Sequence, residues 1–284
     1  MNRNQLVDLI KKKKSFLCVG LDSDIDKVPD YLKKEKDPVF EFNKRIIDAT
    51  LPYAVAYKPN LAFYESNGSA GIISLEKTIQ YLLDYKEQVF TIADAKRCDI
   101  GNSAAAYAKA FFSQMEFDAV TVSPYMGYDS IHPFLAYKDK WTIILAITSN
   151  NGAEDFQKLE IISVNRVESG SSEKLYENII RKSLTWENNE QIMFVAGATQ
   201  AKLIGEIRNI APGSFLLVPG VGAQGGSLKE VAELGLNNDC GLLINASRSI
   251  IFASDKSDFD FVAASEAKRL QSEMEALLKA KGII

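Results

Sequence analysis

Short apolar runs of strand length recur along the chain and alternate with longer segments whose apolar residues fall at helical spacing. The runs lie at Phe16–Leu21, Tyr53–Tyr57, Val89–Ala93, Ala119–Val122, Thr142–Ile147, Ile192–Val195, Ser214–Val218 and Gly241–Ile244. Several are continuously apolar, which marks strands covered on both faces, as in parallel sheets. Between them, Val39-Phe40-Phe42-Ile46-Ile47, Ile73-Leu75-Ile79-Leu82-Leu83 and Leu203-Ile204-Ile207 show the period of amphipathic helices. Eight such strands alternating with helices give βαβ units throughout, and eight is the number that closes into an α/β (β/α)8 TIM barrel. An open doubly wound sheet is the rival arrangement.

No composition break, low-complexity linker or short-period repeat interrupts the pattern, so residues 1–284 are read as a single domain. The longest connection, from Thr148 to about Gln191, is read as a loop followed by a helix from Ser172 to Thr185. Long loops at a barrel mouth commonly act as lids.

Composition narrows the function. A hydrophobic content of 46% over 284 residues is ample for a core. The formal net charge of −4 disfavours a polyanion partner, so no nucleic acid is expected. The run "KKKK" at 11–14 is read as the solvated end of an N-terminal helix. No stretch is long and apolar enough for a membrane span, and "MNRNQLVDLIKKKK" has neither the apolar core nor the cleavage site of a secretory leader. Three cysteines, Cys18, Cys98 and Cys240, form no C-x-x-C pair and suit free thiols in a reducing cytoplasm. The one histidine, His132 in "IHPF", has no ligand partner nearby and is read as a loop or packing residue.

The chemistry concentrates in "ADAKRCDIGNS", residues 93–103, directly behind an apolar run. Asp94 and Lys96 are two apart and share one face in extended backbone. Lys58 ends the second strand in "AYKPN", with Pro59 helping to stop it, and Asp22 ends the first in "VGLDSD". Active sites of such barrels sit at the C-terminal strand ends, so four charged groups converge on one end of the lumen. Ordinary helix caps and a structural salt-bridge network would account for any one of them, but not readily for all four at matching ends. A lysine flanked by carboxylates is held protonated, which disfavours Schiff-base chemistry and favours a proton donor aimed at a developing carbanion. Magnesium on the aspartates is conceivable, but the interposed ammonium would compete with it, so metal binding is unattractive.

A second signal is "VPGVGAQGG", residues 218–226, after a strand and before a helix. It formally matches G-x-G-x-x-G, but the next strand ends in "LLINAS", with no acid to hold a ribose, and the motif sits at the seventh strand. Loops after strands seven and eight, together with a helix N-terminus, form the usual phosphate site of a barrel. Arg248 in "NASRSI" would add a bidentate phosphate partner.

These residues resemble the orotidine 5′-phosphate decarboxylase family. "DAKRCDIGNS" looks like its D-x-K-x-x-D signature, and "LDSD", "AYKPN", "TSNNGAEDFQ", "VPGVGAQGG" and "ASRSI" follow in the family's order over essentially the whole chain. The length and the "TSN" and "ASRSI" segments resemble its longer bacterial subfamily. The resemblance implies metal- and cofactor-free decarboxylation of orotidine 5′-monophosphate to UMP, the last step of de novo pyrimidine synthesis. It also implies that Lys96 donates the proton to C6, Asp94 sits beside the departing carboxylate, and Lys58 and Asp22 hold the ribose and the charge network. By the same resemblance Asp99 reaches the partner's site in a homodimer, with Ser103 near the same ribose. Ser149 would contact the pyrimidine, Pro219, Gly222, Gln224 and Gly225 would line the base and phosphate end, and Arg248 would grip the phosphate. Cys98 departs from the family's usual glycine and Asn151 from its usual proline; neither change touches a group with an implied chemical role. The alternatives are a magnesium-dependent sugar-phosphate decarboxylase or aldolase of related barrel type, and a non-catalytic UMP-binding barrel.

Overall fold

Each apolar run overlaps a strand: β1 Leu17–Leu21, β2 Ala56–Pro59, β3 Phe90–Arg97, β4 Ala119–Val122, β5 Trp141–Ile147, β6 Ile192–Ala196, β7 Phe215–Pro219 and β8 Leu242–Ala246, with only Ala56 and Tyr57 of the second run in β2. The structure is a computed structural model that describes residues 1–162, 172–197, 201–220 and 226–284. Every strand pairs in parallel with its sequence neighbours, and β1 pairs with β8 to close the ring, Leu17 opposite Ile244 and Cys18 opposite Asn245. The (β/α)8 expectation therefore holds and the open sheet does not. Both faces of the strands are covered, which is why β1, β2, β4, β6 and β8 are buried at every position.

Local chemistry sets the helix starts. Asp37 accepts the Phe40 N–H at 3.2 Å and Pro38 occupies the first turn, so Pro38–Thr50 begins where its apolar stripe begins. The stripe of Val39, Phe42, Ile46 and Ile47 is buried. The other expected helices appear at Gly68–Leu83 and Ala201–Ile210. In the long connection after β5 the expected helix Ser172–Thr185 is shorter, Leu175–Ser183, because Glu173–Lys174 is extended and pairs antiparallel with Glu160–Ile161. Residues 163–171 of that connection lie outside the described residues.

Three further expectations hold in part. β2 stops at Pro59, opposite Leu21, so Lys58 is its penultimate residue and not its last. His132, read as a loop or packing residue, packs its ring 5.4 Å from that of Tyr128, on the helix Tyr128–Leu135 and not in a loop. The lysine run does end the helix Arg3–Lys13, but Lys13 is not solvated: its Nζ donates to the Leu51 and Ala54 carbonyls at 2.8 and 2.7 Å. It thereby satisfies carbonyls left open at the end of Pro38–Thr50.

The bottom of the lumen is closed by aromatic side chains from alternate strands. Phe90 and Phe215 each meet Trp141 edge to face, with centroids 6.2 and 6.0 Å apart. Below them the N-terminal segment is fastened: Trp141 donates to the Met1 carbonyl at 2.9 Å, and the Arg3 guanidinium lies 5.3 Å from the Phe215 ring centre. The packing floor is thus at one end and the charged groups are at the other.

Helix Gly68–Leu83 passes so close to Leu61–Glu65 that a Cβ on Gly71 would lie 1.9 Å from the Tyr64 carbonyl oxygen. Gly71→Ala must push these helices apart, with an expected loss of about 1–3 kcal/mol. Denaturant unfolding checks this; an unchanged midpoint would mean that the close approach is not enforced.

Candidate active site

The barrel brings Asp22, Lys58, Asp94 and Lys96 together at the C-terminal ends of β1, β2 and β3. Asp94 is the hub: its Oδ2 accepts from Lys58 Nζ at 2.8 Å and its Oδ1 from Lys96 Nζ at 2.5 Å. Asp22 Oδ1 lies 3.8 Å from Lys58 Nζ and has no hydrogen-bond partner among the described residues. Burial alone would raise the Asp94 carboxyl, but the two ammonium groups overcome it and hold the pKa down at about 2. Burial would likewise neutralise Lys58, but Asp94 and Asp22 reverse the effect and keep it charged. The Lys58 side chain is 5% exposed and that of Lys96 48%. Lys58 is therefore a buried counter-charge, and Lys96 is the ammonium a ligand can reach.

The approach of Lys96 to Asp94 does not come from simple strand alternation. Along β3 the pairing to β4 jumps from Ala93 opposite Val120 to Arg97 opposite Val122, a bulge. Within it Lys96 has φ 48°, a left-handed conformation that side-chain-bearing residues seldom adopt. The bulge is held on both sides. Thr121 Oγ1 accepts the Lys96 N–H at 2.9 Å and donates to Asp94 Oδ1 at 3.1 Å. Arg97 donates to the Ala95 carbonyl at 2.9 Å, pairs with Glu65, and lies over the Tyr107 and Phe111 rings at 5.4 and 5.7 Å.

The end of β1 is held by a buried polar network. Tyr64 donates to the Leu21 carbonyl at 3.1 Å, Asn43 donates to Tyr64 at 3.0 Å, and Ser23 donates to Asn43 Oδ1 at 2.5 Å. Thr121 and Tyr64 were missed in the sequence because each sits inside an apolar run where it reads as packing, and Asn43 because Glu41, Lys44 and Arg45 around it make it read as helix surface. Only a polar residue on the buried face signals them. Below Lys58 the thiol of Cys18, pushed up to about 12 by burial, donates to Asn245 Oδ1 at 3.7 Å.

The other candidate residues are more scattered. Asp99 is half-buried, and its Oδ1 accepts the Ile100 N–H at 2.8 Å. Ser103 is exposed in the first turn of Gly101–Lys109. Among the described residues neither has a hydrogen bond or ion pair to the four-charge cluster. Ser149 follows β5, where its backbone lies against Gly197, and Pro219 ends β7 opposite Asn245. Arg248 is exposed and opens the short helix Arg248–Ile251 after β8. Gly222, Gln224 and Gly225 lie outside the described residues. The helix expected after them is present as Leu228–Gly235, with Ser227 accepting the Glu230 N–H at 3.3 Å. Among the described residues no group of three or more His, Cys, Asp and Glu side chains is placed to hold a metal ion, and no helix is long and apolar enough to cross a membrane.

A closed parallel barrel with ionised side chains gathered at the C-terminal rim is the architecture of a barrel enzyme. A family model described as "Orotidine 5'-phosphate decarboxylase / HUMPS family" matches residues 15–258. A Parabacteroides distasonis protein named orotidine 5′-phosphate decarboxylase is 55% identical over 284 residues, covering 100% of this chain and 99% of that one. A Phocaeicola vulgatus protein of the same name is 54% identical over 278 residues, covering 98% and 99%. The solved structure of Leishmania donovani OMP decarboxylase matches with a TM-score of 0.80 at 35% identity over 98% of each chain. The chain belongs to the orotidine 5′-phosphate decarboxylase / HUMPS family, as its motifs implied.

The depressed Asp94 carboxyl has a pH signature. Its pKa in the fold lies below the ordinary 3.8, so the unfolded chain binds more protons between the two values. The stabilisation is complete above about pH 4 and is lost as the pH falls through about 2. Asp94→Asn should flatten this acid limb while lowering stability at neutral pH, since Lys58 loses its nearest counter-charge. Urea unfolding across the acid range tests it; identical acid limbs in both proteins would remove Asp94 as their source.

Proposed function

We propose that the protein decarboxylates orotidine 5′-monophosphate to UMP and CO2 without metal or organic cofactor, as the last step of de novo pyrimidine synthesis. The observation that carries this reading is the reachable Lys96 ammonium, 2.5 Å from Asp94 on a fixed bulge and backed by a buried Lys58. The names of the relatives supply the substrate. When the C6–carboxylate bond breaks, its electron pair stays on C6, where the ring offers no electron sink. A fixed ammonium stabilises that charge and then passes a proton from Nζ to C6, leaving a neutral amine to be reprotonated from water.

Asp94 is assigned beside the departing carboxylate, and Lys58 and Asp22 to the ribose and the charge network. The unpartnered Asp22 Oδ1 supports this, because it is an acceptor available to a sugar hydroxyl. Ser149 is assigned to the pyrimidine, Pro219, Gly222, Gln224 and Gly225 to the base and phosphate end, and Arg248 to the phosphate. Arg248 is exposed just after β8, on the rim where barrels bind phosphate. We read residues 1–284 as one domain, supported by elements that run from Arg3 to Ala280 around one barrel. Three free thiols support a cytoplasmic setting.

We further read the protein as a homodimer with shared sites, Asp99 and Ser103 serving the partner. Two observations support it: neither residue is hydrogen-bonded or ion-paired to its own cluster among the described residues, and apolar side chains stand exposed on that rim. Ile100 is 52% exposed, Tyr125 86% and Met126 43%.

With EDTA-treated protein, orotidylate consumption should persist, and Lys96→Ala should lower kcat by about a thousandfold or more while UMP still binds. Loss of wild-type activity with EDTA would favour the metal-dependent sugar-phosphate reading. UMP binding with no wild-type turnover would favour the non-catalytic one, and near wild-type turnover by Lys96→Ala would remove the mechanism. Mixing inactive Asp99→Ala and Lys96→Ala subunits should restore about a quarter of the activity, because half of randomly paired dimers then hold one intact site. No recovery after subunit exchange would remove the shared site.

A further inference from the structure

Thr121, the third residue of β4, is 1% exposed in a strand otherwise made of Ala119, Val120 and Val122. Its hydroxyl is used twice within the reactive bulge, accepting the Lys96 backbone N–H and donating to the Asp94 carboxylate oxygen that also receives Lys96 Nζ. A ring results: Thr121 holds Lys96 by its backbone, Lys96 holds Asp94 by its ammonium, and Asp94 accepts from Thr121. We propose that Thr121 is a positioning residue for the proton donor, fixing the left-handed backbone of Lys96 and the orientation of the Asp94 carboxylate so that the ammonium points at one place above the lumen. This rests on the assignment of Lys96 as the donor.

The other end of the bulge is fixed independently. The Arg97 carbonyl accepts the Ser123 N–H at 2.9 Å, and its guanidinium is tied to Glu65 and the Ala95 carbonyl. The Lys96 N–H lies on the inner side, and Thr121 is its partner there. Removing the hydroxyl leaves that N–H without its acceptor and the backbone of Lys96 free to leave a conformation that needs support. The ammonium can then still pair with Asp94, but from a shifted origin. A donor displaced by a fraction of an ångström loses rate more than binding, because the residues assigned to ribose, base and phosphate are untouched.

The test uses full-length Thr121→Val, which keeps the side-chain shape, Thr121→Ala, and Thr121→Ser, which keeps the hydroxyl. Thr121→Val and Thr121→Ala should lower kcat by about tenfold or more, with KM for orotidylate and UMP affinity within about threefold of wild type. Thr121→Ser should recover most of the rate. The inference is overturned if the hydroxyl-free variants keep kcat within about twofold of wild type, or if Thr121→Ser falls as far as they do. Should Thr121→Val not fold, the Thr121→Ala and Thr121→Ser pair decides on the same criteria. Lys96→Ala is measured alongside: if it is inactive while Thr121→Val is not impaired, only the positioning role fails; if Lys96→Ala is active, the donor assignment itself fails.

Discussion

One carboxylate holds two ammonium groups apart and in place at the mouth of an apolar lumen. Each oxygen of Asp94 takes one lysine, Oδ2 the buried Lys58 and Oδ1 the open Lys96. Without that carboxylate the lysines would repel each other, and Lys58 would face the desolvation of an ion with only Asp22 at 3.8 Å. The pairing therefore dictates backbone as well as charge. β3 bulges at Asp94 and Lys96, whose carboxylate and ammonium meet there, and β2 runs one residue past Lys58, whose ammonium meets the same carboxylate. The bridge between Asn60 and Asp94 beyond the regular pairing records that extension.

The apolar half of the molecule was legible in the sequence because parallel barrel strands are buried on both faces. All eight runs coincide with strands to within a few residues. The strand ends were less legible, since Lys58-Pro59 and Asp94 to Arg97 have the composition of loops. A polar residue at the end of a barrel strand points into solvent or lumen, and only the closed ring decides which. Thr121 was hidden for the opposite reason. A β-branched residue is what a strand is expected to contain, so its hydroxyl attracts no notice until the register sets β4 beside the bulge. The shortened helix after β5 reflects a third limit: the pairing of Glu160–Ile161 with Glu173–Lys174 joins segments whose own composition does not call for it.

Stability and chemistry are separated along the barrel axis. The lower end is filled by Phe90, Trp141 and Phe215 and fastened to the N-terminal segment, while the upper end carries charge, a bulge and a left-handed lysine. Local conformations of that kind persist only where the surroundings over-determine them. Ser23, Asn43 and Tyr64 behind β1, Thr121 inside the bulge and Arg97 outside it supply that support from two helices, two strands and the loop after β1. The four charged side chains of the cluster thus rest on five others that carry no assigned chemical role.

On the proposed reading, the charges also say where binding must come from. Within one chain Asp22 and Asp94 balance Lys58 and Lys96, so the cluster has no net attraction for an anion. An orotidylate-like ligand brings a carboxylate towards Asp94 and a phosphate towards Arg248, and Asp99 from a partner would add a further negative charge. The carboxylate end is therefore not where affinity is gained. Attraction has to be supplied at the phosphate end and spent on holding the reacting carbon against an unwelcoming neighbour. Loss of CO2 removes that neighbour's opponent and leaves a carbanion facing Lys96, so a cluster that offers the carboxylate no net attraction suits the state that follows.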